Sequence, residues 1–216
     1  MLNHLGNIYF FAFILLFTRT LLADGLIEIN LQNNFKTTNP TEYFEIFEDL
    51  EGKLNLEDTL KEQLQWSKPK NENCNFGFSH SVFWIRFTLS NPTQDTVRPI
   101  IEFGFPRQDY IELFSPKNEK YTSDITGDIF PFEQRGLADA HFAFELELPP
   151  NTKQTYYIKT SSFNNLSFLN PSLHKSHDSF HQESSYRILS NSVIYGFLFI
   201  MGFYNLFLFF MIKEKV

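Results

Sequence analysis

Cysteine is nearly absent from this chain. Cys74 stands alone, so no internal disulfide can form and no structural zinc site can be assembled from several thiolates. Basic residues are also in short supply: 18 Lys and Arg face 25 Asp and Glu, a net charge of −7. Nucleic acid is therefore not an expected partner, because neutralising phosphate needs clustered Lys and Arg. The common catalytic signatures are missing too. There is no GxSxG elbow, no HExxH pair and no glycine-rich phosphate loop. A glycosidase would need two carboxylates across a cleft at a set separation, and no such pair can be read here. A non-enzyme without metal or cofactor is expected. What is abundant is Phe, with 27 copies among 216 residues, and a hydrophobic share of 43% that excludes a wholly disordered chain. The length suits one domain of ordinary size with accessory segments.

Two apolar segments set the compartment. Ile8 to Phe17 (IYFFAFILLF) is uncharged and too short to favour a span, but it suits the apolar region of a secretory signal. Ala23 before Asp24 offers a cleavage point, so residues 1–23 read as a signal peptide or, alternatively, an uncleaved N-terminal anchor. Either one exports the chain from Asp24 onward. From Ile188 to Ile212 there is no Asp, Glu, Lys, Arg or His. At about 1.5 Å per residue this stretch can cross a hydrocarbon layer of roughly 30 Å. Lys213 and Lys215 come directly after it, which with the leader places the carboxyl end, residues 213–216, in the cytoplasm. The expected location is the cell membrane (the inner membrane of a Gram-negative cell), with residues 24–187 periplasmic or extracellular.

The exported region reads mainly as sheet. In Val82–Ser90 (VFWIRFTLS), Phe83, Ile85, Phe87 and Leu89 share one face while Trp84, Arg86 and Thr88 share the other. Asn91-Pro92-Thr93 signals a turn. In Ala140–Leu148 the same period places Phe142, Phe144, Leu146 and Leu148 opposite Glu145 and Glu147, which read as solvated. Lys153–Ser161, Arg98–Phe105 and Asp109–Ser115 are further strands, and Ile27–Leu31 and Tyr43–Phe47 are weaker ones. One helix is expected where Leu56, Leu60 and Leu64 recur at intervals of four, with Asn55 as N-cap. Many short alternating runs separated by turns indicate a sandwich or barrel over residues 24–170. Residues 171–187 are polar and read as a juxtamembrane connector, either flexible or helical and continuous with the span at 188–212.

Several residues are candidates for chemistry. Trp84 and Arg86 on one strand face could form an aromatic platform with a forked cation for a sugar or an acidic ligand. The preferred alternative is structural, with Trp84 packed and Arg86 paired to a carboxylate. Tyr110, Tyr121, Phe130 and Phe132 lie near strand ends, where binding residues concentrate. His174, His177 and His181 have the spacing of one helical face and could form a metal site or a pH switch, although a polar connector that happens to contain histidine is preferred. Asp124, Gly127 and Asp128 could offer oxygens to calcium, with a plain turn preferred. Asn165-Leu166-Ser167 is a formal glycosylation sequon.

The stretch from Asn75-Phe76-Gly77-Phe78-Ser79 through Trp84-Ile85-Arg86 to Asn91-Pro92 resembles the second type of extracellular domain in bacterial seven-transmembrane receptors with diverse intracellular signalling modules (7TMR-DISM). Glu112-Leu113-Phe114 and the Leu148-Pro149-Pro150 turn before Tyr156-Tyr157-Ile158 fit the same pattern. Tyr195-Gly196 and Tyr204 to Phe209 resemble the first helix of that family's membrane block. The resemblance spans about residues 43–212. It implies a jelly-roll β-sandwich similar to carbohydrate-binding modules, sensing a carbohydrate or other small ligand outside the membrane. The sequence given carries one such helix, so the expectation is a truncated or split receptor with a partner chain supplying the remaining helices and the output domain. A single-span, surface-anchored carbohydrate-binding or adhesion protein is the alternative.

Overall fold

The computed structural model describes residues 28–31, 36–61, 64–118, 120–163 and 166–212. The leader at 1–23, the tail at 213–216 and Asn165 of the sequon lie outside the described residues. In chain order the elements are strands β1 (Glu28–Asn30), β2 (Thr37–Thr38) and β3 (Glu45–Asp49), helix α1 (Leu56–Thr59), strands β4 (Asn75–Gly77), β5 (Val82–Asn91), β6 (Ile100–Phe103), β7 (Tyr110–Lys117), β8 (Lys120–Thr126), β9 (Phe142–Glu145), β10 (Thr152–Ser161), β11 (Ser167–Phe168) and β12 (Pro171–His174), and the long helix α2 (His177–Met211).

The larger sheet is built around β5. One edge of β5 pairs antiparallel with β10, which continues to β7 and β8. The other edge is shared, with β3 antiparallel along its first half and β1 parallel along its second. The smaller sheet runs β2-β12-β6-β9, and β4 and β11 form a separate two-stranded ribbon. Alternation decides which residues lie between the sheets. Phe83, Ile85, Phe87 and Leu89 of β5 meet Ile101 and Phe103 of β6 and Phe142 and Phe144 of β9 in one core, joined by Ile158, Leu113 and Leu173. Leu146 and Leu148 extend it past the end of β9, while Glu145 and Glu147 face outward. Thus a mainly β chain with one C-terminal apolar helix, as the alternation indicates, is what forms.

Local chemistry sets the turns. Asn91 is fully buried, and its amide donates to the carbonyls of Asp95, Leu148 and Pro149 at 2.8, 3.1 and 2.9 Å, tying two turns together. Asn55 caps α1 with a reciprocal capping box to Asp58. That helix is shorter than the leucine spacing suggests: it ends at Thr59, and Leu60 is left exposed. Four residues provide one turn, too little for helix propagation to overcome its nucleation cost without packing.

The connector expected at 171–187 takes the helical form continuous with the apolar stretch from His177 onward, and differs from expectation in its first part. Its first four residues form β12, paired with both β6 and β2, so it begins inside the smaller sheet. A capping box at Ser176 then starts α2 immediately. The helix continues unbroken through the apolar stretch and is long and apolar enough to cross a membrane. Within it, Ser192 Oγ donates to Ile188 O at 2.8 Å and Asn205 Nδ2 to Met201 O at 3.0 Å, so these polar groups are satisfied by the helix itself.

Candidate functional site

The outer face of the larger sheet carries all four ligand-binding candidates. Register sets Trp84, Lys159 and Glu112 in one row across β5, β10 and β7, and Arg86, Tyr157 and Phe114 in another. Tyr110 sits beside Ser161 at one end of this face, and Tyr121 beside Pro116 near the other. Their roles differ. Trp84 is fully buried under the segment that includes α1; its ring stacks on Phe114 at 5.6 Å and Lys159 Nζ lies 5.3 Å from it. Arg86 donates from Nε to Glu45 at 2.7 Å and lies 4.4 Å over the ring of Trp66. Tyr110 donates to Glu112 at 2.7 Å, and burial followed by that carboxylate pushes its phenol up. Tyr121 donates to Thr155 O at 3.2 Å, and burial beside Tyr157 pushes its phenol up to about 12.

A cleft of about 490 Å³ opens between this face and α1, lined by Leu56, Glu57, Trp84, Glu112, Phe114 and Lys159, with Asn55 at its rim. Of the four candidates only Trp84 reaches it. Trp84 Nε1 is buried and makes no hydrogen bond. The cleft therefore combines aromatic side chains, flanking carboxylates and the Lys159 ammonium, which also donates to Leu54 O at 3.3 Å, a set that ligand pockets use to orient a small polar molecule. Phe130 packs at 6.0 Å from Tyr110, and Phe132 lies under the guanidinium of Arg135 at 5.0 Å; neither lines the cleft.

The turn at 124–128 has a steric cause. Gly127 has φ +149°, and a Cβ there would lie 2.1 Å from Asp109 O, so only glycine fits. Asp124 belongs to strand β8 opposite Leu113. The histidine trio does not form a helix face either: His174 is in β12 and fully buried, whereas His177 and His181 are on α2.

His174 instead belongs to a buried polar cluster that fastens α2 to the smaller sheet. Glu102, central in β6, receives hydrogen bonds from His141 Nδ1 at 2.5 Å and His174 Nε2 at 2.6 Å. Arg187 of α2 reaches Glu102 at 3.0 Å with one nitrogen and Asp139 at 2.8 Å with another. Ser184 also donates to Asp139, His177 pairs with Glu145, and Phe180 fills a pocket between Ile100, Ala143 and Leu137. Ligating atoms of Glu102, Asp139 and His141 lie within 4.8 Å of one another, a spacing a metal ion could use. The Arg187 guanidinium already supplies positive charge to both carboxylates.

The electrostatics of the cluster predict a pH dependence. Burial by itself would raise the Glu102 carboxyl, but the hydrogen bonds from His141 and His174 and the charge of Arg187 outweigh it and hold it at about 2, against an ordinary 4.5. Asp139 is held low in the same way by its hydrogen bonds and Arg187. A carboxyl lowered on folding contributes its stability above its unfolded value and loses it as the pH falls through the folded value. The Glu102 contribution, about 3 kcal/mol at 1.36 kcal/mol per pH unit, is therefore complete above pH 4.5 and lost progressively toward pH 2. Thermal melts across that window should show the loss, and Glu102→Gln should flatten it; an equal loss in the variant would refute the assignment.

Residues 41–169 match the family model described as 7TMR-DISM extracellular 2, more than half of the chain. The chain belongs to the 7TMR-DISM extracellular 2 family. With β12 and then the apolar helix α2 following the matched region, this 7TMR-DISM domain is the extracellular domain of a membrane-associated, receptor-type protein. Among solved structures, the domain is similar to a carbohydrate-binding module specific for non-crystalline cellulose, at 9% identity over 54% of this chain and 75% of that one, with a TM-score of 0.23. No curated protein matches it.

Sequence reasoning passes over Lys159, Glu112 and Phe114 of the cleft and Glu102, Asp139, His141 and Arg187 of the cluster. A signal exists for some of them. Lys159 alternates onto the same face as Tyr157, and Glu102 is a lone acid in Ile100-Ile101-Glu102-Phe103. Their partners come from distant strands and cannot be read from one segment.

Proposed function

We propose that this chain is the ligand-sensing head of an extracytoplasmic receptor, with residues 24–170 outside the cell membrane, 188–212 spanning it and the carboxyl end in the cytoplasm. The ligand is a carbohydrate or a similar small polar molecule, held in the cleft between α1 and the outer face of the larger sheet. The observation that carries this reading is the cleft itself: Trp84 and Phe114 form its floor, with Lys159 and Glu112 beside them. Family membership supports the receptor role. In this reading a partner chain supplies the further helices and the output domain, and the chain itself turns over no substrate.

The attachment of α2 favours sensing over simple surface anchoring. An adhesion protein needs only a tether, whereas here the smaller sheet and the loop ahead of β9 hold the helix through ion pairs of Arg187 to Glu102 and Asp139 and a packed Phe180. A shift of the sheets has a stiff path to the span. The test is titration of the full chain in nanodiscs with a panel of neutral and acidic oligosaccharides, read by tryptophan fluorescence. Saturable binding at millimolar or tighter affinity is expected, weakened about tenfold by Lys159→Ala if one charge-assisted hydrogen bond is lost. No saturable response to any member of the panel would reject the carbohydrate reading.

A further inference from the structure

Among the described residues ahead of α2, the five large apolar side chains that are more than half exposed are gathered at one end; Leu60 (46%), after α1, and Ile125 (43%), in β8, are less exposed. Leu50 (78% exposed) comes just after β3, Phe78 (85%) precedes β5, Ile129 (56%) and Phe132 (51%) come after β8, and Phe163 (55%) comes after β10. Register shows that these are neighbouring loops. Asp49 pairs with Val82, Thr160 with Phe83, Ser161 with Tyr110, and Ile111 with Thr126. Asp109 joins two of them directly: its carboxylate accepts from Phe163 N at 2.6 Å and its carbonyl from Ile129 N at 3.5 Å. At the opposite end, the loops at 92–99 and 146–151 have no exposed large apolar side chain among the described residues.

The long helix leaves the head at the same apolar end. It starts near Glu145, passes Ile100 and Ala143 through Phe180, and reaches Asp139, ahead of β9, through Ser184 and Arg187. Phe142 at the start of β9 pairs with Phe103 at the end of β6, and the chain runs from there through a short loop to Asp109 and Tyr110. Arg187 is bonded to the head, and the uncharged stretch begins at the next residue, Ile188. No linker is left to hold the head away from the bilayer.

We propose that the loop tips bearing Phe78, Ile129 and Phe163, with Leu50 and Phe132 at their flanks, dock into the interfacial layer of the bilayer that α2 enters. Apolar faces bearing Phe and Leu bury at the boundary between headgroups and acyl chains, and a cluster of exposed apolar groups on one end of a soluble head calls for a partner surface. The occupant is lipid rather than another protein because the helix exit brings a bilayer to this end without any further chain. The contact is apolar, so it forms on zwitterionic as well as anionic lipid despite the acidic composition of the chain. Docking at these points fixes the tilt of the head on its helix, so that a ligand-driven change in the sheets acts against the membrane surface and is not dissipated by rocking.

This inference rests on the reading of 188–212 as a span, and the test separates the two. Single cysteines are introduced as Phe78→Cys, Phe163→Cys and, at the opposite end, Gln94→Cys. Each variant of the full chain is labelled with an environment-sensitive NBD dye and reconstituted in phosphatidylcholine vesicles with and without doxyl-labelled lipid. Cys74 is buried and its thiol is pushed up to about 12 by that burial, so it stays unlabelled at neutral pH. Flotation with the vesicles reports insertion of the helix. The expected result is a blue shift and doxyl-dependent loss of emission at positions 78 and 163 but not at 94. Chains that float yet show the same solvent-exposed emission at all three positions overturn the docking alone. Chains that do not float overturn the docking and the span together.

Discussion

Replacing Arg187 by Ala should destabilise the head by about 3–5 kcal/mol, because it leaves two buried carboxylates without their shared cation. Glu102 is 2% exposed and Asp139 9% exposed, so water cannot replace the guanidinium in the folded state. For a domain of this size each kcal/mol moves the midpoint by about 2–4 °C, so thermal unfolding should drop by roughly 6–20 °C. Hydrogen exchange should rise in the α2 turns between Phe180 and Arg187 before it rises in β5 or β10, since local opening begins where the joint has been cut. The double variant Arg187→Leu with Glu102→Leu should recover part of the loss, because an uncompensated charge costs more than a missing pair. A single variant as stable as the parent would mean that Arg187 does not fasten the helix.

That joint is not legible in the sequence, whereas much of the sandwich is. The period-two runs at Val82–Ser90, Ala140–Leu148 and Lys153–Ser161 name the buried face of each strand, because alternation is a property of one segment. Ile188–Ile212 likewise announces itself through composition. Residues that act across segments are different. Glu102, Asp139, His141, His174 and Arg187 come from strand, loop, loop, strand and helix, and the pairing of β6 with β12 and β9, with α2 packed on them, brings them together. The histidine spacing at 174, 177 and 181 points to one helix, but Pro171–His174 pairs on both edges as a strand, and tertiary pairing outweighs the local pattern. The short strands β4 and β11 escape a sequence reading for the same reason: each is held by its partner rather than by any pattern of its own.

Trp84 is where the packing and ligand readings make opposite forecasts. Its ring is fully buried, stacked on Phe114, faced by the Lys159 ammonium and lying at the base of the cleft. As a packed residue, Trp84→Ala should cost about 3–5 kcal/mol, the range for deleting a large buried aromatic, and should enlarge the cleft beneath α1. Trp84→Phe keeps an aromatic floor and removes the unpartnered Nε1, so its cost should be far smaller, near the ~1–2 kcal/mol of lost apolar contact offset by relief of a buried donor. If the Nε1 donor is what a ligand engages, Trp84→Phe should preserve the melting temperature within a few degrees while weakening binding about tenfold. A measured Trp84→Ala variant with unchanged stability would mean that the ring is a dispensable surface platform and that α1 does not close over it in solution. Thermal melts and oligosaccharide titrations on the same two variants therefore separate a structural tryptophan, a ligand-contacting one and one that is both.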